Sequence, residues 1–189
     1  MKQGHGRFSA TEKITYTALL VAMQVILGNV LQIPMPIKQF NFGFLPVAFA
    51  GCFLGVLPAM LVGALGDFFG AHLFPVGAYF FGFTVTYAAV GLIYGLALYQ
   101  KNASWPRVAA ACLLAAVCNL FLNSYWLTYF IPRGYWALVG ARSLAYLIDV
   151  PVSFVVIWFT LKGANRVNLP LFHMGAGTQK QSGVKGSPS

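Results

Sequence analysis

The sequence predicts an all-α integral membrane protein, a bundle of six transmembrane helices with both termini in the cytoplasm. Three observations carry that prediction. Only 8% of the 189 residues are charged and 59% are hydrophobic, with a mean hydropathy of +0.73. A water-soluble domain carries roughly 25% charged residues, so this chain lacks the polar surface that solution demands. Its apolar residues fall in long runs broken by Pro, Gly and polar clusters, and a bilayer-crossing helix takes roughly 20 such residues. Finally, its cations are divided unequally between alternate ends of those runs.

Taken in order, residues 1–10 form a polar cytoplasmic lead. Thr11 to Ile33 supplies the first helix, opened by Thr11-Glu12 and stopped by Pro34 and Pro36. The run is too long for a signal h-region and reads as a retained helix. Pro34 to Asn41 is a loop. From Phe42 to Leu73 the apolar run is too long for one span and too short for two ordinary ones. Pro58, just after Gly55, is the natural break, giving two compact helices, Gly43–Leu57 and Pro58–Leu73. Proline and glycine at such depth are tolerated where neighbouring helices satisfy the freed backbone groups. The fourth helix is expected over Val76–Tyr99 and the fifth over Pro106–Phe130, with proline in its first turn. The sixth is expected over Trp136–Lys162, so the membrane domain covers 11–163. Residues 164–189, rich in Gly, Ser and Lys, read as a flexible cytoplasmic tail.

Six spans put both ends of the chain on one side. That side holds Lys2, Arg7, Lys13, Lys101, Arg107, Lys162, Arg166, Lys180 and Lys185; the other holds Lys38 and Arg133, with Arg142 inside the sixth helix. Nine cations against two or three is the positive-inside asymmetry, and it makes the termini cytoplasmic. The same asymmetry accounts for the +9 formal charge, so no nucleic-acid partner is expected.

Cys52, Cys112 and Cys118 all sit in apolar runs, an odd count without CxxC spacing, and read as small buried hydrophobes. His5, His72 and His173 are scattered, and no HExxH, GxSxG, P-loop or paired-carboxylate pattern occurs. The residues therefore offer no catalytic set, no metal site, no cofactor and no ATPase of the chain's own.

The stretch Gly63–Thr84 stands apart. It holds Asp67, one of three acidic residues, together with His72, five glycines and seven aromatics. Polar groups at membrane depth are costly unless they face a packed interior or a cavity, so this stretch reads as the outer mouth of a small-molecule pocket. Arg142 and Asp149, seven apart, share a face of the sixth helix, and the planar fork of Arg142 suits a ligand carboxylate. Asp67 has two readings, a ligand contact or a bond to a neighbouring helix. Asn123 and Trp126 are three apart on the fifth helix and either bind a flat heterocycle or belong to an interfacial aromatic belt, as Tyr129 and Tyr135 do. His72 lines the pocket or the outer surface. The spacing Ala18-x-x-x-Ala22 leaves a groove where another helix can approach; Gly51/Gly55, Gly66/Gly70 and Gly91/Gly95 share it and serve internal packing.

Several of these strings together resemble one family. Ala18-x-x-x-Ala22, Phe42-Gly43-Phe44-Leu45-Pro46, Gly63-Ala64-Leu65-Gly66-Asp67, Leu73-Phe74-Pro75-x-Gly77-Ala78-Tyr79-Phe80-x-Gly82-Phe83-Thr84, Gly91-Leu92-Ile93-Tyr94-Gly95-Leu96 and Leu122-Asn123-x-x-Trp126-Leu127 are similar to the folate-specific S components of energy-coupling factor (ECF) vitamin transporters. The resemblance covers Thr11 to Lys162. It implies a substrate-binding membrane subunit of a bacterial plasma membrane that captures folate from outside. Such a subunit joins a transmembrane T subunit and two cytoplasmic ATPases, and topples in the bilayer to deliver its cargo. It further implies that Ala18 and Ala22 face the T subunit, and that the loop Pro34–Asn41 gates the pocket.

Under that resemblance the vitamin contacts fall on Gln39, Phe40, Asp67, His72, Phe74, Tyr79, Phe83, Asn123, Trp126 and Arg142, with Lys38 a second candidate for the glutamate carboxylates. Two positions depart from the family pattern: Gly28-Asn29-Val30 stands where an arginine is usual, and Tyr146 where an asparagine is usual. Those departures imply a different hold on the carboxylates or a preference for a variant folate. Rival readings are an S component for riboflavin, thiamine or pantothenate, a small intramembrane enzyme, and a structural membrane adaptor.

Overall fold

A computed structural model of the chain describes residues 9–32, 41–75, 79–99, 104–130 and 134–166. Six α-helices make up the bundle: α1 (Ala10–Val25), α2 (Phe44–Phe53), α3 (Val56–Leu73), α4 (Phe81–Leu98), α5 (Trp105–Leu127) and α6 (Tyr135–Arg166). Among the described residues, five segments are long and apolar enough to cross a membrane, α1 counting with the turn that extends it, and α2 is a shorter apolar helix. The expected all-α, six-helix membrane fold is the fold observed. Residues 1–8 of the expected lead, 34–40 of the expected loop and 167–189 of the expected tail lie outside the described residues, whereas 164–166, expected in the tail, continue α6.

The element boundaries correct the expected ones in physically informative ways. α1 starts before Thr11, because the Ser9 N–H is accepted by Glu12 Oε2 at 2.8 Å and closes the first turn. At its outer end α1 passes into a π-helical turn over Ile26–Val30, where the Leu31 N–H reaches back to Ile26 O at 3.1 Å. The fourth helix begins at Phe81 rather than Val76, since Phe80 is extended. The fifth stops at Leu127, with Thr128–Phe130 continuing as turns, and the sixth begins at Tyr135.

The break between α2 and α3 falls at Gly55, not at Pro58. Gly55 has φ 113° and ψ −173°, a conformation in which a Cβ is strongly disfavoured. The Leu54 and Gly55 N–H groups both close onto Ala50 O, ending α2. Pro58 then lies in the first turn of α3, where its missing N–H costs no helical hydrogen bond.

With ten residues α2 rises about 15 Å, half of a hydrocarbon core about 30 Å thick. Its buried start lies against α1: a Cβ on Gly43 would come 3.2 Å from Gly28 Cα, and the Phe42 N–H is accepted by Leu27 O at 3.2 Å. Backbone ending at such depth is tolerated because it is bonded within the protein.

The core sits at the inner end. Val47, Ala59, Val62, Val108 and Ala111 are fully buried, joined by Leu98, Ile157 and Leu161. Glycines let the backbones touch there: a Cβ on Gly51 would fall 2.9 Å from the Gly95 nitrogen, and one on Gly95 would fall 2.6 Å from Val56 Cα. The Gly51, Gly66/Gly70 and Gly91/Gly95 positions all abut neighbouring helices, the internal packing expected of them. Ala18 and Ala22, by contrast, are exposed on the outward side of α1 beside Leu19 and Met23.

Candidate substrate cavity

Between the helices lies a cavity of about 530 Å³, within the roughly 300–1,000 Å³ typical of small-molecule sites. One face of α5 supplies Cys112, Ala115, Ala116, Asn119, Asn123 and Leu127, spaced as a helical stripe. That stripe rises about 22 Å, so the cavity runs from the outer end deep into the bundle. The facing stripe of α4 is Phe83, Tyr87, Val90 and Tyr94, and α6 adds Arg142, Tyr146, Asp149, Val150 and Ser153. Phe44 and Val47 of the short α2 close one side, while Phe74, Tyr79 and Phe130 stand at the mouth.

Two hydrogen-bonded chains shape the walls. In the first, Thr84 Oγ1 donates to Asp67 Oδ2 at 2.8 Å and meets the Tyr79 hydroxyl at 2.7 Å. The Thr84 proton goes to the carboxylate, so Tyr79 donates to Thr84 and is tied through it to α3. Asp67 thus bonds a neighbouring helix, the second of its two readings, and it also lines the cavity. In the second chain, Asn119 Oδ1 accepts from the Tyr146 hydroxyl at 3.0 Å and from Asn123 Nδ2. Asn123 is 8% exposed, and its Oδ1 has no partner among the described residues; neither does Arg142 Nε. Both residues line the cavity, and each keeps one buried polar atom unpaired by the described residues.

The structure sorts the expected site residues. Asp67, Phe74, Tyr79, Phe83, Asn123 and Arg142 line the cavity. Gln39 and Phe40 lie outside the described residues, as does Lys38. Trp126 does not stand beside Asn123 in the wall. Three residues leave about 60° between side chains on a helix, enough to turn the indole toward α4. There its Nε1 donates to Thr86 Oγ1 at 3.2 Å and its ring fills the space over Gly82. His72 lies on the outer surface, with Nδ1 2.7 Å from Phe68 O and its ring 4.3 Å from Phe68 and 4.9 Å from Tyr79. Tyr129 is exposed and stacks on Phe80 with ring centroids 5.8 Å apart, as a belt residue does.

Sequence reasoning passed over Asn119, Tyr87, Tyr94 and Ser153, and recorded Asn29 and Tyr146 only as departures. The available signal was helical spacing: Asn119 is four before Asn123, and Tyr146 is four after Arg142. Asn29 reaches the cavity from the π-helical turn, where its Nδ2 bonds Val25 O at 3.2 Å against Gly70. Such turns recur at functional sites, and no composition rule announces them.

A helical membrane bundle with a deep cavity, aromatic at its mouth and polar along two walls, is the architecture of a protein that binds a small molecule within the bilayer. The family described as "ECF transporter, substrate-specific component" matches residues 12–163. The chain belongs to that family: it is a substrate-binding transporter subunit, not an enzyme, and a multi-pass bacterial membrane protein. A folate transporter, FolT, of Clostridium novyi (strain NT) is 34% identical over 155 residues, covering 82% of this chain and 90% of the relative. FolT of Leuconostoc mesenteroides is 31% identical over 158 residues, covering 80% and 85%. A solved structure described as FolT bound with folic acid matches with a TM-score of 0.74 and 28% identity, over 80% of this chain and 93% of the other.

Proposed function

We propose that this chain captures folate at the outer face of the membrane and delivers it inward together with a transmembrane T subunit and two cytoplasmic ATPases. The observation that carries the reading is the outer cavity, whose shape and polar walls suit a flat heterocycle with a charged tail. Phe83, Tyr87 and Phe44 offer aromatic walls against which a pterin ring packs. Asn123 and Asp67 offer polar contacts to its edge. Arg142, with its Nε unpartnered, receives a glutamate carboxylate through a charge-assisted hydrogen bond. The names of the relatives support the same ligand. In the delivery step the exposed Ala18 and Ala22 let the T subunit's helix approach α1 closely. The stretch Pro34–Asn41, with Lys38, Gln39 and Phe40, gates the bound vitamin under this reading.

Titration of the purified protein with folate, folinate and riboflavin, followed by quenching of its four tryptophans, tests the ligand. Saturable quenching by folate or folinate, and none by riboflavin, is the expected outcome. Saturation by riboflavin with no response to either folate would overturn it.

A further inference from the structure

Phe83, Tyr87, Val90 and Tyr94 form the stripe that α4 turns toward the cavity. Each residue of an α-helix advances about 100° around the axis, so Thr84 stands about 100° to one side of Phe83 and Thr86 about 60° to the other. Both threonines are buried, Thr86 fully. Each is tied to a different neighbour. Thr84 Oγ1 donates to Asp67 Oδ2 on α3 at 2.8 Å, and Thr86 Oγ1 accepts the Trp126 indole proton from α5 at 3.2 Å. The second bond has only one possible sense, because an indole N–H donates and never accepts. Thr86 donates its own proton to Gly82 O, one turn back along α4 and 3.0 Å away. That bond holds the β-branched side chain in one rotamer, with its oxygen toward Trp126. The inner half of α4 is set by contact instead: Cβ atoms on Gly91 and Gly95 would run into the Ala59 and Val56 backbone. Contact fixes how far apart helices lie, whereas the two lateral bonds resist rotation of α4 about its own axis. An atom about 5 Å from a helix axis moves about 2.5 Å when the helix turns through about 30°, enough to break both bonds.

We infer that Thr84 and Thr86, through Asp67 and Trp126, are positioning residues that set the azimuth of α4 and so hold the Phe83 and Tyr87 rings toward the ligand. This rests on the folate reading, in which the pterin packs against those rings. Trp126 thereby acts on the ligand through α4 rather than by touching it.

The test is a double-mutant cycle on the full-length chain, read by calorimetric titration with folate. In the parent, Phe83→Leu keeps the apolar bulk but removes the flat aromatic face, and folate is expected to bind about tenfold more weakly. In a Thr86→Val background the tie to α5 is gone and the ring is no longer held, so the same change at Phe83 weakens folate by less than about threefold. Thr84→Val, which cuts the tie to α3, should compress the ratio in the same way. Thr86→Ser keeps the hydroxyl and should restore the parent's ratio. Trp126→Phe deletes the same bond from the α5 side, so the cycle can be completed even where the Thr86→Val protein does not fold. A general loosening of the bundle would weaken folate binding with and without the Phe83 ring alike and leave the ratio where it was. An unchanged ratio in the folded Thr86→Val or Trp126→Phe protein therefore overturns the positioning role, as does a serine variant that behaves like valine. Equal affinity of the parent and Phe83→Leu overturns it too, while leaving folate as the ligand. A parent that binds no folate overturns the ligand reading itself, and this inference with it.

Discussion

At the inner end of the bundle, Gly51 meets Gly95, Gly95 meets Val56, and Leu98, Val108, Ile157 and Leu161 leave almost no accessible surface. At the outer end, side chains that bond across helices hold the walls apart: Tyr79 to Thr84 to Asp67, Tyr146 to Asn119 to Asn123, and Trp126 to Thr86. Both halves are built on the same helices, with different means. Close backbone contact needs no directionality and gains dispersion energy from shape alone. A cavity has nothing at its centre to pack against, so its walls must be fixed by hydrogen bonds that specify orientation. One half supplies stability, and the other spends part of it to keep polar groups aimed at a ligand.

Substitutions on either side of this division have opposite consequences for stability and for binding. The largest effect is expected from Gly91→Leu, whose Cβ alone would enter the Ala59 backbone. Overpacking costs about 1–3 kcal/mol per tolerated insertion, and a branched side chain against backbone exceeds that, so no monodisperse protein should elute in size-exclusion chromatography. Next comes Arg142→Ala. It should lower folate affinity by about ten- to a hundredfold, as loss of a charge-assisted contact does, while the melting temperature of the unliganded protein stays the same or rises. Equal folate affinity in that variant would remove Arg142 from the carboxylate. Gly55→Ala places a side chain at φ 113° and against the Tyr99 ring, and thermal unfolding should show a loss of about 1–3 kcal/mol with folate affinity retained. The smallest effect on stability belongs to Ala22→Trp on the exposed side of α1, within about 0.5 kcal/mol in the isolated chain. Reconstituted with a T subunit and two ATPases, as the proposed function requires, that variant should bind folate normally and lose uptake.

Much of this division is legible in the sequence. The glycine pairs announced close packing because few other reasons place glycine every fourth residue in an apolar run. Asp67, Asn123 and Arg142 announced a cavity because polar groups at membrane depth need one. What escaped was direction and phase. Spacing groups Trp126 with Asn123, yet it cannot tell which of two neighbouring helices a large ring will fill against. Pro58 outweighed Gly55 as the break because proline is the stronger helix breaker in mid-helix, whereas within a first turn it is benign. Tyr146 looks like a loss when set against the asparagine of the resemblance; its place in the lining and its bond to Asn119 make it a wall residue.

The π-helical turn at Ile26–Val30 has one more consequence. It accommodates an extra residue between the part of α1 that carries Ala18 and Ala22 and the part that carries Asn29. Each residue of an α-helix advances the azimuth by about 100°, so the extra one sets the phase between the lipid-side stripe and the cavity wall. Deleting a single residue from this turn would leave the apolar composition of the helix intact and still rotate Asn29 away from the cavity. Length polymorphism here, rather than substitution, is therefore the change to which the coupling of the two faces of α1 is most exposed.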